Sequence, residues 1–349
     1  MKMDLYNEIL MATCQLYGNL RFSRNDVQFI IEFVQNFVEN IYNPRLHKQL
    51  SENLYNAVSE EATDEIRKTF KKYKNVFGDF NTEDKRLRIY KQHGFLIDPI
   101  DVPIASSERS SVCGEKISIK NKYITITHIP LKYSLTQFLQ IDRLFDALIE
   151  YKDFLMQDQT ALTNFVQGQL WKKQLSEFDK DGVVLPLFGY HDDVETGNSM
   201  GSHSKINEVG AVYATIPCLP TNFASKLESI VMSDIFYSND RKQYGNALIC
   251  KSFIADLKKL REEGIEIQIC NKKIKVYFIT SLILGDNLGL NSMLGFTSSF
   301  TKTMWCRICY ASPDKIHFMT NEDERLLRTV ESYKNDVKKL CVSESGVNE

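Results

Sequence analysis

The sequence lacks any apolar run approaching the roughly 20 residues that a membrane-spanning helix needs. It also lacks an excess of charge, because 43 Lys and Arg residues stand against 45 Asp and Glu residues and leave a formal net charge of -2. These absences favour a soluble intracellular protein without a membrane partner. They also argue against a chain coated with positive charge for binding nucleic acid, although local basic patches remain compatible with this balance.

Residues that break regular structure are scarce, since the 349 residues include only 16 glycines and 8 prolines. The hydrophobic share of 43% is typical of folded globular proteins, and the length suits two or three domains. Eight cysteines are scattered along this chain. Their dispersal makes a disulfide framework improbable and predicts buried free thiols, with Cys306 and Cys309 as the exception.

The first part of the chain has the periodicity of helices. Apolar residues recur at helical spacing from Val27 to Ile41, after a capping-box pattern of Ser23 and Asp26. Further helices are expected from about Leu50 to Tyr73 and from Glu83 to His93. The proline- and serine-rich segment Phe95 to Ser111 reads as a linker. We therefore expect a helical N-terminal region with a linker over residues 1–112.

Residues 113–180 are expected to form a hairpin and a long helix that lead into a core. Apolar residues alternate on either side of Asn121 and Lys122, which predicts a turn there. A helix follows Pro130, with Ser134 and Gln137 as a second capping-box pattern.

Residues 181–300 predict a mixed α/β domain. Strand-like runs cover Val183 to Tyr190, Val209 to Leu219 and Leu227 to Phe236, and a helix spans Ile249 to Gly264. A hairpin across Asn271 and Lys272 then introduces the apolar run Lys275 to Leu284. This β-β-β-α-β order, with a mixed sheet, is that of a partial RNase H-like core.

Acidic residues follow two of these apolar strands. Asp192 or Asp193 closes the first strand and Asp286 closes the fourth. If these strands are neighbours, the acids lie side by side and could hold a divalent cation for phosphodiester chemistry. An Asp after a strand is more often a turn former or a helix cap, and this simpler interpretation stays open.

A pair of thiols follows the core. Cys306 and Cys309 have the two-residue spacing that allows both to bind one tetrahedral Zn²⁺, with His317 as a possible third ligand. A redox pair and two unremarkable thiols are the alternatives. We expect residues 301–349 to hold these cysteines and the start of a helical insertion.

The order of these motifs resembles the core of eukaryotic cut-and-paste DNA transposases of the CACTA (En/Spm) type and of related proteins derived from transposable elements. The resemblance covers about Leu185 to Tyr333. It rests on Gly189-Tyr-His-Asp-Asp-Val-Glu-Thr-Gly, Ile216-Pro-Cys-Leu-Pro, Leu284-Gly-Asp-Asn-Leu-Gly and the cysteine pair. It matches Asp192 to the first catalytic acid, with Asp193 where the family often has Gly, and Asp286 to the second.

The resemblance implies metal-dependent DNA cleavage and strand transfer with Mg²⁺ or Mn²⁺, a DNA partner, nuclear localisation and possible homo-oligomers. It also implies a third acid, usually Glu, on a helix beyond an inserted segment. Glu322, Glu324 and Glu331 follow the cysteines too soon to be convincing substitutes. We therefore expect a chain cut short before that acid, with little or no activity of its own.

Two other interpretations stay open. The first is a domesticated or decaying remnant that acts as a DNA- or protein-binding module. Its best local candidate is the basic stretch Arg67, Lys68, Lys71, Lys72 and Lys74, although a solvated helix face is the simpler explanation because acids precede it. The second is an unrelated α/β protein in which the acids and thiols are structural.

Overall fold

The computed structural model describes residues 5–19, 21–54, 59, 61, 64–65, 68, 77–113, 116–158, 160–196, 208–224, 226–300, 304–339 and 345–347. The chain divides into two compact units, Met1–Asp98 and Pro99–Glu349. Each unit has its own hydrophobic core. No helix within the described ranges is both long enough and apolar enough to cross a bilayer.

The first unit is helical in its described part. Its helices are α1 (Leu5–Gly18), α2 (Arg24–Asn36), α3 (Asn43–Leu54) and α4 (Glu83–Gln92), with a π-helical segment, Phe37–Tyr42, between α2 and α3. The capping box at the start of α2 is confirmed, since the Ser23 side chain accepts from the Asp26 amide and Asp26 accepts from the Ser23 amide. Of the helix expected up to Tyr73, the part beyond Leu54 lies mostly outside the described residues, as does the basic stretch except Lys68.

The second unit is built on a mixed sheet of seven described strands in the order β1-β2-β5-β4-β3-β7-β6. The strands are β1 (Ile100–Cys113), β2 (Lys116–His128), β3 (Val183–Glu195), β4 (Glu208–Thr215), β5 (Val231–Tyr237), β6 (Ile265–Ile269) and β7 (Lys272–Leu284). Only β3 and β7 pair in parallel, and the other neighbours pair antiparallel.

Helices complete this unit. They are α5 (Leu131–Leu139), α6 (Leu144–Gln157), α7 (Gln169–Ser176), α8 (Thr221–Ala224), α9 (Ser238–Tyr244), α10 (Asn246–Ile249), α11 (Lys251–Glu262), α12 (Asn287–Met293), α13 (Pro313–Ile316) and α14 (Val330–Lys339). The core includes the fully buried Trp171 of α7, Leu185 of β3 and Phe278 of β7. The sheet therefore carries Asp192 and Asp193 on β3, and Asp286 follows the end of β7.

The linker and the hairpin turn were predicted wrongly. The serine-rich segment after Ile100 is strand β1, and it pairs with β2 over the whole length of both strands. Asn121 lies within β2 and pairs with Glu108, so the chain does not turn at Asn121 and Lys122. Serine and proline are poor strand residues, but an edge strand tolerates them because only one of its sides is paired.

The long helix after Pro130 is in fact two helices. The helical conformation is interrupted between α5 and α6, where Arg143 adopts a left-handed conformation with φ 61°. Ser134 therefore lies inside α5 and does not cap it. The start of α5 is instead stabilised from another helix, because the Asp256 carboxylate of α11 accepts a 2.7 Å hydrogen bond from the Leu131 amide.

The strand order around β3 agrees with the expectation that the first and fourth predicted strands are neighbours. β3 pairs in parallel with β7, from Val183 opposite Val276 to Tyr190 opposite Leu284. β3 runs further than predicted, to Glu195, so that Asp192 and Asp193 lie inside the strand and not after it. The β6–β7 hairpin is confirmed, although Cys270 and Asn271 form its left-handed turn.

Candidate metal centre

The two acids that the resemblance assigns to catalysis lie at the same end of two adjacent strands, β3 and β7. The parallel ladder between β3 and β7 ends at Tyr190 and Leu284, and Asp192 and Asp286 each lie two residues beyond it. Both acids are exposed. Burial lowers the pKa of His191, which lies next to Asp192 in β3, and the charges of Asp192 and Asp286 are among those that oppose this shift.

Asp286 has a second role as the cap of α12. Its Oδ1 accepts a 2.5 Å hydrogen bond from the Gly289 amide. The sequence-based alternative, in which this acid is a helix cap, is therefore correct in its geometry. A capping carboxylate has two oxygens, so capping by Oδ1 leaves Oδ2 available as a ligand.

Asp192 lies on the opposite face of β3 from His191 and Asp193, because neighbouring strand residues alternate between faces. On its own face it lies near Tyr213, whose pKa is raised by burial and by the Asp192 charge. The Tyr213 ring stacks on Tyr190, with centroids 5.1 Å apart and an interplanar angle of 2°. Asp192 is thus an exposed carboxylate beside an aromatic pair.

Asp193 is engaged within the protein. Its Oδ2 accepts a 2.8 Å charge-assisted hydrogen bond from Arg241, and its Oδ1 accepts from the Ser238 hydroxyl at 2.5 Å. The Arg241 side chain is 5% exposed, so this ion pair is largely desolvated. Both oxygens of Asp193 are therefore satisfied, which leaves Asp192 as the better candidate for an ion ligand.

Arg241 also joins the two acid-bearing segments. While one guanidinium nitrogen holds Asp193 of β3, the other donates to the Ser292 hydroxyl of α12 at 2.7 Å. A second bond from the same region to α12 comes from Asn246, whose amide donates to the Ser292 carbonyl at 2.7 Å. The two bonds of Arg241, to Asp193 and to Ser292, form a buried fork that links α9, β3 and α12. We infer that the relative placement of Asp192 and Asp286 depends on this fork.

His191 was missed by the sequence analysis. Its side chain is 2% exposed and its ring stacks on Phe236, with centroids 6.0 Å apart. Burial lowers the pKa of His191, although the charge of Asp193 opposes this shift, so the imidazole favours its neutral form. The only signal for His191 in the sequence was its position directly before Asp192. The alternation of faces along the strand did not show that His191 is on the buried face.

The cysteine pair forms a compact loop. The Ile308 amide donates to Cys306 Sγ at 3.4 Å, and the Cys306 thiol is also within hydrogen-bonding reach of Cys309. Burial raises the pKa of Cys309, and the neighbouring Cys306 thiol raises it further, while the Ala311 amide lowers it by hydrogen bonding. Two adjacent sulfurs that accept amide hydrogen bonds have the chemistry of half a zinc site.

This loop is fixed to the rest of the unit by two arginines. Arg328 is 4% exposed, donates to the Cys306 carbonyl at 2.9 Å and pairs with Asp336 at 3.0 Å. Arg307, between the two cysteines, donates to Asn291 of α12 at 3.3 Å. The loop is therefore in contact with the helix that Asp286 caps.

The expected third zinc ligand is not brought to the thiols. His317 is exposed at the end of α13. Over the described ranges, no three His, Cys, Asp or Glu side chains are grouped so that they could hold one ion. Each candidate centre therefore consists of a pair of protein ligands, Asp192 with Asp286 and Cys306 with Cys309.

Comparison with known proteins gives no independent assignment of this arrangement. No protein-family model matches the chain, and a search of curated proteins found no match.

Proposed function

We propose that this protein is a transposase-like protein whose second unit contains an RNase H-like core and engages DNA phosphodiesters with the help of divalent cations in the nucleus. Support for this core comes from the order of its strands. Three antiparallel strands, β3, β4 and β5, precede α11, and β7 then pairs in parallel with β3. The remaining strands, β1, β2 and β6, extend the sheet at its two sides.

The observation that carries the proposal is the matched placement of Asp192 and Asp286 beyond the parallel ladder of β3 and β7. Two exposed carboxylates on adjacent strands repel each other unless a cation lies between them or a nearby positive group offsets their charge. Carboxylate oxygens are also the ligands that Mg²⁺ and Mn²⁺ prefer. The stacked tyrosines beside Asp192 add a flat aromatic surface of the kind that nucleic acids contact.

In this proposal Asp192 and Asp286 would hold Mg²⁺ or Mn²⁺, which would supply Lewis-acid activation of a phosphodiester. Arg241 and Asp193 keep the two acid-bearing segments together. Cys306 and Cys309 would contribute two thiolate ligands to Zn²⁺ and stabilise the loop that contacts α12. The described residues place two acids at this end of the sheet, whereas the resemblance implies three. We therefore expect the protein to bind DNA but to cleave no more than trace amounts of it.

The proposal is tested by DNA binding with and without a divalent cation. A fluorescent 30-base-pair duplex is titrated with the full chain in Mn²⁺ and in EDTA, and anisotropy gives the two affinities. We expect tighter binding in Mn²⁺ and loss of that difference in Asp192→Asn and in Asp286→Asn. Glu266→Gln is the matched control, because Glu266 is an exposed strand acid on β6 that pairs with Lys273.

Equal affinities in Mn²⁺ and EDTA for the wild-type chain would contradict the proposal. Nicking of supercoiled plasmid is measured in the same buffers, where we expect no more than trace cleavage. Efficient Mn²⁺-dependent nicking that disappears in Asp286→Ala would overturn the expectation of low activity while supporting the metal site.

A binding module without catalysis is the second candidate function. It is favoured by the N-terminal helices, which form a compact unit with its own core. On α2 of that unit, Phe29 and Phe33 are 69% and 63% exposed and their rings stack 6.5 Å apart. If DNA binding is salt-dependent, insensitive to Mn²⁺ and unchanged in both Asp variants, the module is the better description.

A further inference from the structure

We infer that His191 and Asp286 hold a divalent transition-metal ion on the α12 side of β3. This inference shares Asp286 with the proposed function. It goes beyond that function because His191 lies on the other face of β3 from Asp192 and because it specifies the kind of ion.

The first observation is that the His191 ring is buried without a hydrogen-bonding partner. Its side chain is 2% exposed. Within the described residues, neither Nδ1 nor Nε2 makes a hydrogen bond. Burying an imidazole with both nitrogens unsatisfied costs free energy, so a ligand at this position would offset a real penalty.

The second observation is that His191 Nδ1 and the Asp286 carboxylate both face Gly289 in the first turn of α12. A Cβ built on Gly289 would lie 3.7 Å from His191 Nδ1 and 2.8 Å from Asp286 Oδ1. A side chain at position 289 would press on the Asp286 carboxylate, and glycine avoids this contact. The ring nitrogen and the Asp286 carboxylate therefore face the same turn of α12, where Oδ1 caps the helix and Oδ2 is left as a ligand. Imidazole nitrogen and carboxylate oxygen are atom types that bind transition ions.

The third observation concerns the far side of the ring. His191 Nε2 lies 3.8 Å from Asp193 Oδ1, which is longer than a hydrogen bond but close enough to shorten with a small ring movement. A histidine that binds a metal through one nitrogen usually donates its other N–H to a carboxylate. Asp193 is held for this role by Arg241 and Ser238. In this arrangement His191 would bind the ion through Nδ1, and Asp193 would orient the ring through Nε2.

The ligand set specifies the ion. Mg²⁺ prefers oxygen ligands in octahedral geometry, whereas imidazole favours transition ions. One imidazole and one carboxylate therefore favour Mn²⁺ over Mg²⁺, with water or phosphate oxygens completing the shell.

The test is pulsed electron paramagnetic resonance of Mn²⁺ bound to the full chain, because a directly bound imidazole nitrogen gives a ¹⁴N modulation that carboxylates do not. We expect this modulation in the wild-type chain and in Asp192→Asn. Replacing His191 with Phe should abolish it and weaken Mn²⁺ binding by about tenfold or more, since even outer-shell changes weaken metal binding about 10–100-fold. Phe suits this site because the ring already stacks on Phe236.

A second variant keeps the test independent of any folding defect in His191→Phe. Gly289 lies inside α12 with a helical backbone, so Ala is favoured there by helix propensity. Its methyl group would lie 2.8 Å from Asp286 Oδ1 and would displace that carboxylate from the His191 side, so Gly289→Ala should weaken Mn²⁺ binding by about tenfold in a folded protein. His93→Gln, which changes an exposed histidine of the first unit, should leave both the modulation and the affinity unchanged.

Two results would overturn the inference in different ways. Tight Mn²⁺ binding that requires Asp286 but shows no ¹⁴N modulation would remove His191 as a ligand and leave the proposed function intact. Absence of saturable Mn²⁺ binding in the wild-type chain would overturn both the inference and the metal-dependent function.

Discussion

Replacement of Arg241 by Met should destabilise the second unit by about 3 kcal/mol. The change keeps an unbranched apolar stem but leaves the Asp193 carboxylate, which is 20% exposed, without its counter-charge. Breaking a buried ion pair by removing one partner costs about 3–5 kcal/mol. The lower end applies here because Ser238 still donates to Asp193. The loss of the bond to Ser292 is included in this figure.

The measurement is urea unfolding followed by tryptophan fluorescence. Trp171 and Trp305 both belong to the Pro99–Glu349 unit, so the signal reports the unit that contains the fork. Arg241→Lys should recover only part of the loss, because one ammonium group cannot reproduce the planar fork between Asp193 and Ser292. A double-mutant cycle with Asp193→Asn should give a coupling energy of at least about 1 kcal/mol.

The reasoning would be refuted if Arg241→Met lowered the free energy of unfolding by less than about 1 kcal/mol, which is the range of an exposed ion pair. A coupling energy near zero between positions 241 and 193 would refute it equally. Either result would mean that the placement of Asp192 and Asp286 does not depend on this fork.

Further outcomes follow from other contacts. Cys218 and Cys250 should resist iodoacetamide near pH 8, because burial raises their pKa values to about 12 and about 11, whereas exposed Cys270 should react; equal labelling by mass spectrometry would contradict this. Gln167→Leu should lower the free energy of unfolding by about 2–4 kcal/mol in urea titrations, because the buried amide makes five hydrogen bonds to its own loop. Asp286→Ala should cost about 1 kcal/mol through loss of the α12 cap, whereas Asp286→Asn should cost less in thermal unfolding because Asn also caps.

Local signals in the sequence predicted much of the fold around the site. The apolar run up to Leu284 marked β7 as a buried strand, and the residues after it marked the start of α12 at Asn287. The cap at Ser23 and the helix end at Gly264 were also recognisable, since each depends on a residue and its close neighbours. Each of these features is determined by residues that are close together in the sequence.

The remaining features depend on contacts between distant residues. Asp193 appeared equivalent to Asp192 in sequence, and only the contact with Arg241, 48 residues away, shows that it is engaged. The burial of His191 likewise results from packing against β5 and α12. The break at Arg143 places a charged residue in a left-handed conformation, which its type did not indicate.

We propose above all that Asp192 and Asp286 hold a divalent cation where the parallel strands β3 and β7 end. The most direct test is an anomalous difference map from a crystal of the full chain soaked in MnCl₂. We predict a manganese peak within about 2–2.6 Å of a carboxylate oxygen of each residue. A crystal in which both carboxylates are ordered, but in which manganese is absent at saturating concentration or is not bound to both acids, would contradict this proposal.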